Sequence, residues 1–247
     1  MSSVRLTKRQ KRLLAKQNLI DEAPTFKNHF RLNKFEPLTQ NQLRTFVAYE
    51  EEKNLLLHGM AGTGKTFISL YLALSDIIEG GTAYNKVVIV RSVVPTRDMG
   101  FLPGNQKEKA AAYEAPYTAI CSELFGRDDA YKILKDKNAI EFISTSFIRG
   151  ITLQNCVVIV DEVNNMTFHE IDSVITRIGK NCRIIFCGDF RQSDLTREQE
   201  KNGLKNFMRI AKQMDSFSHI EFTEDDIVRS GFVRDYIITR ERLGISA

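Results

Sequence analysis

Eight residues limit what this chain can fold into more than any other stretch: Gly59, Met60, Ala61, Gly62, Thr63, Gly64, Lys65 and Thr66. They satisfy the pattern G-x-x-x-x-G-K-[ST]. Residues 54–58 before them form a short apolar run of strand type. Residues 65–79 after them carry Ile68, Leu72, Leu74 and Ile78 on apolar faces of a helix, until Gly80 and Gly81 stop it. In that context glycines let the backbone curl so that successive amide hydrogens converge on phosphate oxygens. The helix that starts near Lys65 adds its positive end. Lys65 is long enough to reach the β- and γ-phosphates, and the Thr66 hydroxyl is a magnesium ligand. A turn that merely caps a helix is the bland alternative, and the strand–loop–helix setting argues against it. The stretch reads as a site for a nucleoside triphosphate with magnesium.

The rest of the chain alternates in the same way. Strand-like runs at 87–90, 140–144, 157–160, 184–187 and 218–222 are separated or followed by helical stretches at 110–125, 169–178, 203–214 and 233–243, and a further helix is expected at 41–51. Several strands are unbroken β-branched runs, as required when both faces of a sheet are covered. The expected class is α/β, with a mostly parallel sheet and helices on both faces.

With 43% apolar residues over 247 positions the chain can bury a full core. A net charge of +4 is too small to demand a nucleic-acid partner by itself. Charge is concentrated in residues 1–20, where Arg5, Lys8, Arg9, Lys11, Arg12 and Lys16 interleave with Leu6, Leu13 and Leu14. Such a segment suits phosphate-backbone contact, a solvated arm or an oligomer contact equally well. The expected division is a basic arm and linker over 1–36 and a nucleotide-binding domain over 37–247. No apolar run is long enough to span a bilayer and no secretory signal is evident, so no membrane association and a cytoplasmic location are expected. Cys121, Cys156, Cys182 and Cys187 lack C-x-x-C spacing and read as reduced thiols, mostly buried.

Two further strand ends carry polar residues. Residues 157–160 run into Asp161 and Glu162. Ligands of open α/β sheets sit at that edge. There Asp161 is expected to support magnesium through its water shell, and Glu162 to polarise the attacking water. The strand at 183–187 ends in Gly188, Asp189, Phe190, Arg191 and Gln192. Spacing alone does not decide whether Gln192 senses a γ-phosphate or belongs to an ordinary turn. His169-Glu170 begins like a zinc-protease helix, but Ser173 stands where the second histidine is required. No separate nuclease constellation is present.

Taken together, these strings resemble the PhoH family, a branch of P-loop ATPases similar to the core of superfamily 1 helicases. The resemblance covers nearly all of residues 37–240. It rests on GMAGTGKT (59–66), VIVRSVVP (88–95), GFLPG (100–104), SFIRGITL (146–153), VIVDEVNN (158–165), TRIG (176–179), GDFRQSDL (188–195) and EDDIVRSG (224–231).

The resemblance implies a RecA-like P-loop NTPase fold in which an extra strand separates the glycine-loop strand from the Asp161 strand. It makes Gln42 the adenine-recognising glutamine, which favours ATP. Gln192 becomes the γ-phosphate sensor and Arg229 an arginine-finger candidate, acting within its own subunit or on a neighbour. Arg91, Arg177 and Arg234 are weaker candidates, at least as well read as structural or surface residues. Where the family commonly has a glutamine before an asparagine this chain reads Val163, Asn164, Asn165, so Asn165 is the better match for a sensing asparagine. A second RecA-like domain is lacking, and the family implies a homo-oligomer, a ring of six, that completes the cleft. A second candidate nucleic-acid surface is the loop 95–109, with Arg97, Lys107 and Lys109 around Phe101 and with Arg149 as a further contact, and the helicase-like family places nucleic acid across this side of the sheet. The implied activity is magnesium-dependent ATP hydrolysis coupled to single-stranded RNA or DNA. The alternative is a nucleotide-switched assembly module without motor activity.

Overall fold

Runs of valine, isoleucine and leucine without polar alternation must be covered on both faces, and in this chain such runs form the four inner strands of a six-stranded sheet. The computed structural model describes Pro24, Phe26 and residues 30–92, 106–189 and 198–245, with side chains of 106–111 and 198–202 outside the described set. Within it the strands are β1 (Asn54–Gly59), β2 (Lys86–Arg91), β3 (Ile140–Ser144), β4 (Cys156–Asp161), β5 (Cys182–Gly188) and β6 (Phe217–Phe222). They form one sheet in the order β3-β2-β4-β5-β1-β6, and every pairing is parallel. All the strand tips therefore gather at one edge. As the resemblance implied, one strand, β5, separates β1 from β4.

Side chains alternate across this sheet. Leu55 and Leu57 of β1, Val87 and Ile89 of β2, and Val157 and Ile159 of β4 face one cluster. Leu56, Val88, Val90, Val158 and Val160 face the other. The first cluster is closed by α1 (Gln40–Glu50), α2 (Lys65–Glu79), α3 (Gln106–Phe125) and α4 (Ala130–Asp136). The second is closed by α5 (Phe168–Ile175) and α6 (Glu198–Ala211). Helices on both faces follow from the crossovers that parallel strands require. The seven-residue α4 is too short for helical periodicity to announce it, and it is not among the helices expected from the sequence.

The last helix, α7 (Gly231–Arg242), packs elsewhere. Its Ile237 joins Met60 and Ile227 in a small cluster against the glycine loop.

Residues expected to form a linker pack onto the first layer. Phe30 is 4% exposed and stacks on Phe125 of α3 at 4.5 Å and on Phe26 at 5.1 Å. The Asn33 amide donates to the Leu124 carbonyl at 2.8 Å. The basic arm at 1–20, the GFLPG string and Arg97 lie outside the described residues. No helix among the described residues is long and apolar enough to cross a membrane.

Candidate nucleotide site

The glycine loop leaves β1 at the sheet edge. Gly59 has φ +112, and a Cβ there would sit 2.0 Å from the Phe222 carbonyl oxygen of neighbouring β6. Only glycine fits that approach. The Met60 amide completes the junction by donating to the same carbonyl at 3.0 Å. Buried Thr63 donates to the Met60 carbonyl at 2.9 Å and holds the curl of the loop.

Lys65 opens α2 and folds its amine back into this curl. Nζ donates to the carbonyls of Gly59 at 2.9 Å and Met60 at 2.6 Å, and to Thr63 Oγ1 at 3.3 Å. Burial lowers its pKa from 10.5, opposed by the negative charges of Asp189, Glu162 and Asp161. A partly desolvated ammonium among these groups attracts an anion more strongly than one in bulk water.

Thr66, next in α2, donates to Asp161 Oδ1 at 2.8 Å. Asp161 ends β4 and is 6% exposed. Its second oxygen, Oδ2, accepts from the Tyr117 hydroxyl of α3 at 2.9 Å. Arg91, at the tip of β2, is the direct register partner of Asp161 and hydrogen-bonds Tyr117. Burial, then the negative charge of Asp161, raises the Tyr117 pKa, so its hydroxyl stays protonated. Burial pulls Arg91 down, but Tyr117, Glu162 and Asp161 outweigh it and hold the guanidinium above its ordinary value.

Glu162 turns the chain at the β4 tip with φ 52 and ψ 43, a left-handed conformation that side chains rarely adopt. Such a turn stores about 1–3 kcal/mol where the surroundings enforce it, and turns of this kind cluster at functional sites. The Glu162 carboxylate acts electrostatically on both Lys65 and Arg91. The turn continues into buried Asn164, whose Oδ1 accepts from the Asp189 amide at 3.1 Å. Its Nδ2 donates to Asn165 Oδ1 at 3.1 Å. Asn164 thus ties the β4 tip to the β5 tip, while half-buried Asn165 sits one position further out.

Both ends of the domain clasp the loop. Gln42 is 4% exposed; its Nε2 donates to the Thr63 carbonyl at 3.2 Å and its Oε1 accepts from the Leu38 amide at 2.7 Å. From the other end, the Val228 amide donates to the Gly62 carbonyl at 3.1 Å. The Arg229 stem then lies over Gly62, its Cγ 3.0 Å from where a Cβ on that glycine would stand. Asp226 joins the two ends. It accepts from Thr39 Oγ1 at 2.6 Å, from Asn41 Nδ2 at 2.8 Å and from the Thr223 amide at 2.8 Å.

These contacts bring together Gln42, the loop residues, Lys65, Thr66, Asp161, Glu162 and Arg229. Gln192 lies outside the described residues. Arg91 is engaged with Tyr117, and Arg234 is exposed on α7. Glu170 serves its own helix, closing a capping box with Thr167 and accepting from Ser92 and Thr145. Among the described residues no cluster of three or more histidine, cysteine, aspartate and glutamate side chains is placed to hold a metal ion. Tyr117 and Asp226 are parts of the site that the sequence does not single out, and Asn164, passed over there for Asn165, is the asparagine that ties the two strand tips.

The PhoH-like protein family matches residues 34–239. The chain belongs to the PhoH family. It is 32% identical over 200 residues to the PhoH-like protein of Bacillus subtilis (strain 168), covering 78% of this chain and 60% of that protein. It is 31% identical over 191 residues to Protein PhoH of Escherichia coli (strain K12), covering 76% and 53%. This PhoH-family chain therefore spans little more than half the length of the curated relatives it matches. Among solved structures, the large terminase of a thermophilic bacteriophage in complex with ADP superposes with a TM-score of 0.51 at 12% identity, covering 81% of this chain and 49% of the terminase. That likeness bears on the fold alone, an α/β architecture with a parallel six-stranded sheet.

Proposed function

We propose that this PhoH-family chain binds ATP with magnesium at residues 59–66 and hydrolyses it, and that hydrolysis is coupled to single-stranded nucleic acid, RNA before DNA. One observation carries the hydrolytic part: Thr66 and Asp161 meet at 2.8 Å beside a strand tip where Glu162 is turned left-handed. A hydroxyl and a carboxylate are hard oxygen donors of the kind magnesium takes, so these two residues fit the ion and would hold it. Magnesium there supplies positive charge against the triphosphate oxygens.

In this reading Lys65 leaves the Gly59 and Met60 carbonyls for the β- and γ-phosphates, a trade its partial desolvation favours. Glu162 orients and polarises the attacking water. Gln192 keeps its proposed part as γ-phosphate sensor. Arg229 stabilises charge on the transferring group, and its contact with Gly62 of the same chain supports action within its own subunit. Gln42 retains one N–H and one acceptor site beyond its contacts with Leu38 and Thr63, which would suffice for an adenine edge. The division remains an arm over 1–36 before an ATPase unit over 37–247, and the contacts of Phe30 and Asn33 with α3 support counting the end of the arm with that unit.

The nucleic-acid part is supported by the same sheet edge. Phe147, 65% exposed just after β3, lies two residues from Arg149, which contacts His169 at the start of α5. Exposed Phe168 precedes His169 at the start of that helix. An aromatic face beside a guanidinium suits stacking of unpaired bases with backbone contact. The test is ATP turnover by the full chain with and without single-stranded RNA and DNA. Stimulation by either polymer supports coupling, and an unchanged rate with both counts against it.

A second reading, a nucleotide-switched assembly module, is favoured by α7. That helix packs on the loop through Ile237 yet exposes Phe232 and Tyr236 on its other side. Turnover indifferent to nucleic acid, with a particle mass that differs between ATP and ADP, would select it. The hexameric ring implied by the family belongs to either reading, and the same mass measurement tests it.

A further inference from the structure

We infer that Tyr117 is a positioning residue for the Asp161 carboxylate, assigning Oδ1 to Thr66 and the metal by occupying Oδ2, with Arg91 anchoring the phenol from behind. The inference rests on the reading of Asp161 as the magnesium-supporting carboxylate.

A strand-terminal aspartate has two equivalent oxygens and a freely turning terminal torsion. Here the two oxygens are distinguished: Thr66 donates to one at 2.8 Å and Tyr117 to the other at 2.9 Å, from different helices. Tyr117 is fully buried, so its ring cannot swing to solvent. Its hydroxyl also meets Arg91, which leaves the phenolic hydrogen committed to Asp161.

The strand register explains why a phenol is needed. Arg91 and Asp161 are Cα partners on adjacent parallel strands, and both follow the strand positions that face the α2 and α3 layer. A guanidinium at that position would pair with the carboxylate directly and compete for the lone pairs that a cation requires. The Tyr117 hydroxyl stands between them. It accepts from the arginine and donates to the aspartate, so one carboxylate oxygen is held without being consumed by an ion pair. Partners of this kind set ligand orientation, and their loss typically costs about 10–100-fold in metal affinity.

The experiment is equilibrium binding of a fluorescent ADP analogue to the full chain, titrated with magnesium and repeated in EDTA. Tyr117→Phe is expected to shift the magnesium midpoint upward by about tenfold or more, well beyond any change in affinity seen in EDTA. A purely structural role would alter thermal melting without moving the midpoint, and that result overturns the inference. Tyr117→Met, which also lacks the donor, carries the same expectation should the phenylalanine variant not fold. Failure of both to fold assigns Tyr117 to packing and likewise overturns it. Asp161→Asn separates the two levels. If it leaves the magnesium response intact, the metal reading of Asp161 falls. If it abolishes the response while Tyr117→Phe does not, only the positioning role falls.

Discussion

Thr66 and Asp161, 95 residues apart in sequence, meet through a 2.8 Å hydrogen bond between the first turn of α2 and the tip of β4. The contact joins the glycine loop to the strand that carries Glu162 across an intervening strand. Thr66→Ala removes the hydroxyl and its hold on Asp161. Magnesium-dependent nucleotide binding, followed by calorimetry, is expected to weaken by roughly tenfold or more, the scale on which disturbed metal ligation is felt. Thr66→Ser is expected to retain most of it.

Gln42→Ala strips the Leu38 amide and the Thr63 carbonyl of a buried partner. Leaving such groups unsatisfied costs about 1–3 kcal/mol. Thermal melting is expected to fall accordingly, and the preference for ATP over GTP in competition binding to decline with it.

Arg229→Ala separates charge from architecture. The side chain is exposed, and only its stem packs on Gly62. Melting is expected to change little, while ATP hydrolysis falls on the order of 10²-fold, as when one transition-state donor is lost. Mixing Arg229→Ala with Lys65→Ala subunits is expected to restore nothing, because an arginine acting within its own chain cannot serve a neighbour.

His58 gives the domain a pH dependence. Burial lowers its pKa from 6.5 to about 4, with Lys212, His219 and Lys65 adding to the effect and Glu221 opposing it. The unfolded chain takes up this proton near 6.5 and the folded chain only near 4, so stability present above 6.5 is lost as the pH falls toward 4. Denaturant midpoints measured across that window are expected to fall with pH, and less steeply in His58→Asn.

What is legible in the sequence is local. The glycine loop, the β-branched runs and the Asp161-Glu162 strand end are contiguous patterns, and each is found where it is expected. Strand order is a different matter. Periodicity does not say that β5 lies between β1 and β4, and the family resemblance supplies that relation. The missing parts are long-range. Tyr117 reads as a core aromatic on its helix, and only the fold brings it to Asp161 from 44 residues away. A charged Arg91 closing the apolar run at 87–90 is the available signal for that network. The part played by Asn164 is hidden because its tie to the Asp189 amide depends on two strand tips converging.

Hydrolysis of ATP at this loop, with Glu162 acting on water, is tested most directly by single-turnover phosphate release from the wild-type chain and from Glu162→Gln, each with bound ATP measured in parallel. Glu162→Gln is expected to bind ATP with wild-type affinity and to release phosphate at least about 10²-fold more slowly, the usual contribution of a positioned acid or base. Release at the wild-type rate by Glu162→Gln, or no release by the wild-type chain, would contradict it.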